Sequence, residues 1–232
     1  MKELDELYKT IQIVKAETKS EKSPIPIFSF EGLPGSGKTT QIKLVSEVLT
    51  NKYGKSCYID LPTKSPIGKI MKSLYSDEHL WNDVRTQSPW LNPIMISVDL
   101  RLAIKRAVDE GASYAFMSRG VLSTYYYNLD AYDSDENRAW HMMQNHMKAF
   151  YIPEAIVFMD IPEEVAYERV VKRNRGPLRT MDEVGEMRKD KIRLQNYLAK
   201  MPNFPVYYID ATGNEEEVTN RIIEKLERHL HI

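Results

Sequence analysis

An eight-residue stretch from Gly32 to Thr39, GLPGSGKT, constrains this chain more than any other feature. It fills every fixed position of the pattern G-x-x-x-x-G-K-[ST], in which glycines allow backbone N–H groups to converge on a polyphosphate. An apolar run at 25–30 precedes the motif, and a helix-like stretch at 40–49 follows it. A strand, a glycine-rich turn and the amino end of a helix form a phosphate cradle. The motif therefore predicts a purine nucleoside triphosphate in the first βα turn.

The residues of this turn have distinct expected roles. Lys38 adds a positive charge, the Thr39 hydroxyl can bind Mg²⁺, and the following helix offers its positive amino end. The sequence therefore predicts a purine nucleoside triphosphate, ATP or GTP, bound together with Mg²⁺. The residues expected to bind ATP are Gly32, Leu33, Pro34, Gly35, Ser36, Gly37, Lys38, Thr39 and Thr40.

Composition narrows the class of protein. The chain has 232 residues, of which 42% are hydrophobic, and a formal net charge of −1. This length and apolar content favour one α/β domain, and the near-neutral charge gives no general attraction for nucleic acid or anionic membrane. No apolar run approaches the roughly 20 residues that span a bilayer, and the charged N-terminus has no secretory apolar core. We therefore expect a cytoplasmic protein with neither nucleic acid nor membrane as a partner.

The chain divides into an extension and a domain. Residues 1–24 are predicted to form an N-terminal helical extension, because Leu4, Leu7, Ile11 and Val14 recur at helical spacing. Residues 25–232 alternate between strand and helix patterns, which predicts a five-stranded parallel sheet flanked by helices on both faces. The predicted strands are 25–30, 56–61, 113–117, 155–161 and 206–210. The predicted helices are 40–49, 66–75, 92–110, most of 121–150, 162–173, 182–200 and 215–229.

Polar residues end four of the predicted strands. Glu31 ends the first strand, Asp60 the second, the Ser118-Arg119-Gly120 segment the third and Asp160 the fourth. Ligands of parallel α/β sheets bind beyond the carboxyl ends of the strands. These residues together predict a cleft for a phosphoryl acceptor beside the glycine-rich turn.

A basic loop is expected to close over this cleft. Arg175 and Arg179 flank Gly176-Pro177, so they are predicted to lie on a mobile lid at about 174–181. Phosphoryl transfer spreads negative charge over the equatorial oxygens, and arginines delivered by a closing lid stabilise that charge. The predicted architecture is thus a P-loop kinase with an arginine-bearing lid.

From about residue 25 to residue 230 the chain resembles the thymidylate kinase branch of the nucleoside monophosphate kinases. FEGLPGSGKTTQ is similar to that family's first strand and phosphate loop, and LPTKSPIG to the segment that binds the acceptor's phosphate. SRGVLSTYYYN resembles its Asp-Arg-Tyr segment. AIVFMDIPEEVAYERVVKRN is similar to the strand and helix before the lid, and YYIDATGNEEEV to the last strand. The resemblance implies transfer of the ATP γ-phosphate to dTMP or a related nucleotide by a homodimer.

The same resemblance, with the strand ends above, gives the expected site residues. Catalytic roles are expected for Lys38, Arg119, Arg175 and Arg179. Acceptor binding is expected for Asp60, Lys64, Arg101, Arg119, Ser123, Thr124 and Tyr127. Metal binding is expected at Thr39, with Glu31 and Asp160 able to act through water.

Two departures from the family pattern leave other functions open. Ser118 replaces the family's aspartate at the third strand, and Gly120 replaces an aromatic residue, which is expected to enlarge or loosen the acceptor site. One alternative is a kinase for a deoxynucleoside or another small-molecule hydroxyl, with Asp60 as general base. The other is a catalytically degenerate protein that binds nucleotide and serves as an interaction module.

Overall fold

Five parallel strands form one sheet. The structure, a computed structural model, describes residues 22–126, 129, 135–147, 151–174, 178 and 182–230. The strands are β1 (Ile27–Glu31), β2 (Ser56–Asp60), β3 (Tyr114–Ser118), β4 (Ala155–Asp160) and β5 (Val206–Asp210). Their order across the sheet is β2-β3-β1-β4-β5, and every pair is parallel. The predicted α/β class and the five predicted strands are confirmed.

Helices cover both faces of the sheet. In the described parts of the chain they are α1 (Lys38–Tyr53), α2 (Pro66–Ser76), α3 (Glu78–Gln87), α4 (Leu91–Asp109), α5 (Val121–Tyr126), α6 (Glu136–Met147), α7 (Glu163–Arg173), α8 (Val184–Ala199) and α9 (Glu215–Leu230). Side chains of α1, α7 and α9 share one core cluster, and those of α4, α5, α6 and α8 contribute to the clusters on the other side. This layered arrangement buries the central strands on both faces.

The central strand β1 decides where the site forms. All five of its residues are buried. Phe28 and Phe30 belong to the core cluster that contains α1, whereas Ile27 belongs to the cluster that contains α4. Because successive strand side chains alternate between faces, Ser29 and Glu31 lie on the α4 and α5 side. The first strand therefore aims a carboxylate to one side of the turn that carries the glycines.

One helix was absent from the sequence-based prediction. Helix α3 begins after Asp77, whose side chain accepts a hydrogen bond from Leu80 N at 3.0 Å. None of its residues is buried, although Trp81 packs edge-to-face on Tyr75 with ring centroids 4.6 Å apart. A helix without a buried face lacks the apolar periodicity from which helices are predicted, so its capping residue was the available signal.

Several predicted features lie outside the described residues. These are residues 1–21 of the N-terminal extension and most of the lid, including Arg175 and Arg179. The boundary at residue 24 and the lid at 174–181 therefore stay predictions. No helix within the described ranges is both long and apolar enough to cross a membrane.

Candidate active site

The glycine-rich turn between β1 and α1 passes very close to its neighbours. Gly32, Gly35 and Gly37 have φ angles of 136°, 81° and 91°, in the region that favours glycine. A Cβ atom at Gly32 would lie 2.7 Å from the Met159 carbonyl oxygen, and one at Gly35 would lie 2.4 Å from the Ala166 carbonyl oxygen. Two of these glycines are therefore required by the packing of the turn on β4 and α7, as well as by backbone conformation.

Lys38, the first residue of α1, is held inside this turn. Its Nζ donates hydrogen bonds to Gly32 O at 2.9 Å, Leu33 O at 2.7 Å and Ser36 Oγ at 3.2 Å. The side chain is only 6% exposed. The ammonium group is thus fixed at the centre of the loop by three oxygen acceptors.

The electrostatic surroundings of Lys38 favour an anion. Burial, with a further contribution from the positive charge of Arg119, holds the pKa of Lys38 well below its ordinary value, and Glu31 opposes this shift. Arg173, at the end of α7, also lowers the pKa. Several cations that disfavour one another become favourable together when a polyphosphate binds among them.

Arg119 lies at the end of β3 in an unusual backbone conformation. Its φ angle is 68°, and its N–H donates to Phe30 O at 3.0 Å across the β1–β3 pair. A non-glycine residue in this region costs roughly 1–3 kcal/mol and persists where the surroundings hold it. Arg119 interacts electrostatically with both Lys38 and Asp190. The predicted catalytic pair Lys38 and Arg119 is therefore brought together at one sheet edge.

Glu31 is the anchor of this edge. Its Oε1 accepts hydrogen bonds from Gly120 N at 2.7 Å and Ser29 Oγ at 3.2 Å, and its Oε2 accepts one from the Ser123 hydroxyl. The carboxylate is 1% exposed. Both oxygens are engaged in fixing the turn that carries Arg119, and this use competes with the predicted contact to a metal through water.

Gly120 does not open the acceptor site. A Cβ atom there would lie 2.6 Å from Ser29 Oγ and 2.9 Å from Met117 Cε. The space beside the glycine is filled by β1 and β3, so the expectation that it enlarges the site was wrong. The glycine instead lets its N–H approach the buried Glu31 carboxylate.

The side of the turn expected to bind Mg²⁺ is more open. Thr39 and Asp60 are exposed, and Asp60 is the register partner of Ser118. The half-buried Tyr58 hydroxyl interacts with the side chains of all three residues, and burial raises the pKa of Tyr58. The group therefore stays a neutral hydroxyl that joins the ends of β2, β3 and α1.

Asp160 has a different partner. Its Oδ1 lies 2.7 Å from Lys191 Nζ on α8, and Lys191 Nζ also donates to Ile161 O at 3.0 Å. Among the residues that the structure describes, no group of three or more His, Cys, Asp or Glu side chains could hold a metal ion.

Arg101 is one of the residues expected to bind the acceptor, and its guanidinium group lies over an aromatic ring. Its guanidinium Cζ lies 4.4 Å from the ring centroid of Tyr151, which precedes the amino end of β4. Residues two apart on a helix point about 200° from each other, so Arg101 faces away from Asp99, which contacts the loop after β2. The guanidinium of Arg101 is therefore directed towards Tyr151 in this structure, and its role in acceptor binding stays a prediction.

The remaining acceptor candidates differ in their surroundings. Lys64 is exposed on the loop after β2. The hydroxyls of Ser123 and Thr124 donate within the protein, to Glu31 and to Gly120 O respectively. Tyr127, Arg175 and Arg179 lie outside the described residues. Their roles stay predictions.

Four residues near this edge were not assigned to the site from sequence. They are Tyr58, Asp99, Arg173 and Asp190. Tyr58 and Asp99 lie inside a strand and a helix whose patterns indicate only burial, so no local signal marks them. Arg173 belongs to the basic stretch before the lid, which was a usable signal. Asp190 lies inside a helix far along the chain from the glycine-rich turn.

Asp190 gives a testable pH dependence. It is 5% exposed on α8, and burial raises its pKa to about 6, against the opposing effect of Arg193 and Arg119. Between about pH 4 and pH 6 the folded state keeps a proton that the unfolded state releases, so stability falls as the pH rises through this window. Asp190→Asn should therefore increase the free energy of unfolding by about 1–3 kcal/mol above pH 6.

Urea unfolding at several pH values measures this difference. The variant and the native chain should converge in stability as the pH falls towards 4. A constant difference at every pH would contradict a buried, titrating carboxylate at this position.

Comparisons with known proteins agree with this geometry. The family model described as thymidylate kinase matches residues 30–222. The chain belongs to the thymidylate kinase family. It is 24% identical over 206 residues to the thymidylate kinase of Leptospira interrogans, which covers 88% of this chain and 95% of that protein. It is 27% identical over 208 residues to the probable thymidylate kinase of Archaeoglobus fulgidus, covering 89% and 97%.

A third relative gives the same result. The thymidylate kinase of Thermosipho africanus is 27% identical over 212 residues, which covers 87% of this chain and 98% of that protein. The predicted membership among nucleoside monophosphate kinases is confirmed, and with it a nucleotide-binding phosphotransferase. The matched region contains the glycine-rich turn, Arg119 and the loop with Lys64.

Proposed function

We propose that the chain transfers the γ-phosphate of ATP to dTMP, producing dTDP and ADP. The observation that carries this proposal is the buried Lys38 inside the glycine-rich turn with Arg119 beside it at the same sheet edge. The family's relatives bear the name thymidylate kinase. A monophosphate acceptor presents an oxygen that is already a competent nucleophile, so positioning and charge neutralisation supply most of the catalysis.

In this proposal, different residues bind the ATP phosphates, the acceptor phosphate and the transferring group. The backbone amides of the turn and Lys38 hold the ATP phosphates, with Thr39 on the side of the metal ion. Lys64 and Arg119 hold the acceptor phosphate, and Arg175 and Arg179 close over the transferring group. The bond that forms joins an acceptor phosphate oxygen to the γ-phosphorus, and the bond to the β–γ bridging oxygen breaks with ADP as leaving group.

Mg²⁺ fits this site as a companion of the nucleotide. The exposed Thr39 hydroxyl offers one protein ligand, and Mg²⁺ commonly keeps several waters and bridges substrate phosphates. When bound, it neutralises charge on the phosphates. The Tyr58 hydroxyl interacts with the Thr39 side chain, and also with those of Ser118 and Asp60 at the same ends of the strands.

A substrate panel tests the proposal. ADP release is measured by a coupled assay with dTMP, dUMP, dCMP, dAMP and dGMP, and thymidine serves as the unphosphorylated comparison. We expect dTMP to give a kcat/KM at least about tenfold above the other monophosphates. No turnover of any monophosphate, under conditions where ATP binds, would contradict the proposal.

The hydroxyl-kinase alternative is tested by Asp60→Asn. Asp60 is exposed at the end of β2, beside Ser118 and near Thr39. A hydroxyl acceptor needs a base, so the variant would then lose turnover while keeping its affinity for ATP. With a phosphate acceptor we expect only a mild effect on kcat.

We also propose that the protein is a homodimer. Ile94, Val98 and Leu102 lie on one face of α4, where the first two are half-buried and Leu102 is 43% exposed. A twofold interface between copies of this face would cover the exposed apolar side chains. Sedimentation velocity should give a dimer for the native chain and a monomer for Leu102→Lys. A native chain that sediments as a monomer at assay concentration would contradict this.

A further inference from the structure

Asp99, in the middle of α4, is a fully buried carboxylate with three partners on one loop. Its Oδ2 accepts a hydrogen bond from Thr63 N at 2.7 Å. Its Oδ1 accepts from Thr63 Oγ1 at 2.6 Å and from Ser65 Oγ at 2.5 Å. The side chain is 0% exposed. A buried carboxylate is stable only when donors satisfy it, and here every donor comes from the segment 63–65.

The same segment is fixed from its other side. Thr63 Oγ1 accepts from Ser65 N at 3.0 Å, and Ser65 Oγ caps α2 by accepting from Gly68 N at 3.0 Å. Gly68 packs so closely that a Cβ atom there would lie 2.4 Å from Thr63 O. The loop is thus held at the amino end of α2 by the Ser65 cap and at the middle of α4 by Asp99.

Lys64 is the exception within this segment. It lies between the two residues that Asp99 holds, and its own side chain is exposed. The backbone on both sides of Lys64 is therefore fixed by hydrogen bonds, while its ammonium group is exposed at the carboxyl ends of the strands. A preorganised cation binds an anion better than a mobile one, because less conformational entropy is lost on binding.

We propose that Asp99 is a positioning residue that holds the segment 63–65 so that Lys64 meets the phosphate of the monophosphate acceptor. This inference rests on the proposed function. Asp99 touches neither substrate, and it acts through Lys64. Its removal should therefore weaken use of the acceptor and leave use of ATP unchanged.

Steady-state kinetics separate this role from a general structural one. Asp99→Ala should increase the KM for dTMP by about tenfold or more, with the KM for ATP and kcat changed by less than about twofold. Asp99→Asn keeps the shape and one acceptor oxygen, so it should fall between Asp99→Ala and the native chain. Ile104→Val, a buried change on the same helix, is the control and should leave both KM values unchanged.

A double-mutant cycle tests the route through Lys64. If Asp99 acts by positioning Lys64, the variant carrying Asp99→Ala and Lys64→Ala should have the same dTMP KM as Lys64→Ala alone. Additive effects would overturn the proposal, as would equal increases in the KM values for dTMP and ATP.

Hydrogen exchange gives a readout that does not depend on activity. The backbone amides of Thr63, Lys64 and Ser65 should exchange faster in Asp99→Ala than in the native chain and in Ile104→Val. Unchanged exchange would overturn the proposal. An inactive native chain with every monophosphate would refute the proposed function and this inference together. A native chain that uses dTMP, with an unchanged dTMP KM in Asp99→Ala, would refute the positioning role alone.

Discussion

Replacing Lys38 with alanine is expected to lower kcat/KM at least about a thousandfold, which corresponds to about 4 kcal/mol of lost transition-state stabilisation. The ammonium group is buried at the centre of the glycine-rich turn and is held by three oxygens. The loss should appear in turnover as well as in ATP affinity, because negative charge develops on the β–γ bridging oxygen as the bond to the ADP leaving group breaks.

Lys43→Ala is the matched control for this experiment. Lys43 lies on the same helix and is exposed. Its substitution by alanine therefore removes one positive charge from the protein without altering the glycine-rich turn. Its kcat/KM should stay within about twofold of the native value. Circular dichroism of both variants checks that the fold is intact. Near-native activity of a folded Lys38→Ala would exclude the proposed catalytic role.

Among glycine-to-alanine substitutions in the turn, Gly35→Ala is expected to cause the largest loss of stability and of ATP binding. The added Cβ would lie 2.4 Å from the Ala166 carbonyl oxygen and 3.1 Å from Val170 Cγ2, both on α7. The left-handed φ angle of 81° adds about 1–2 kcal/mol. We expect a stability loss of about 3 kcal/mol or more, with loss of measurable ATP binding because the turn must move away from α7.

Gly37→Ala separates backbone strain from the clash. Gly37 has a similar φ angle of 91°, but a Cβ there would meet no heavy atom within 4 Å. This variant should lose only about 1–2 kcal/mol. Urea unfolding and calorimetric titration with ATP and Mg²⁺ measure both properties. Equal losses for the two variants would show that packing on α7 is unimportant.

Two buried carboxylates hold the backbone segments that carry the proposed phosphate-binding cations. Glu31 fixes the turn that carries Arg119, and Asp99 fixes the loop that carries Lys64. Each carboxylate lies on a different element from the cation that it positions. The proposed contacts to the acceptor phosphate therefore depend on side chains that touch no substrate.

Much of this protein follows from local sequence. The glycine-rich turn, Lys38 and Thr39 are contiguous, so their spacing along the chain already sets their arrangement in space. The five predicted strands are segments of five to seven residues, and each is found in the sheet. Membership of the family was likewise visible in motifs that lie within single loops.

Other features depended on the tertiary structure. The order β2-β3-β1-β4-β5 places the ends of β1 and β3 side by side, so Glu31 reaches Gly120 across 89 residues. The sequence suggested metal binding for Glu31 and acceptor binding for Arg101. The packing gives Glu31 three hydrogen-bond donors within the protein and places the Arg101 guanidinium over the Tyr151 ring, contacts that the sequence did not indicate. The two predicted roles stay predictions.

The phosphate-binding turn was determined by the sequence alone, because its residues are covalent neighbours and glycine conformations there are set by local sterics. The positioning of the acceptor side was decided by the tertiary structure. Asp99 and Thr63 are 36 residues apart, and only the packing of α4 against the loop after β2 brings them into contact. A hydrogen bond between residues distant in sequence leaves no periodic or motif signal, since it depends on where two elements meet in space.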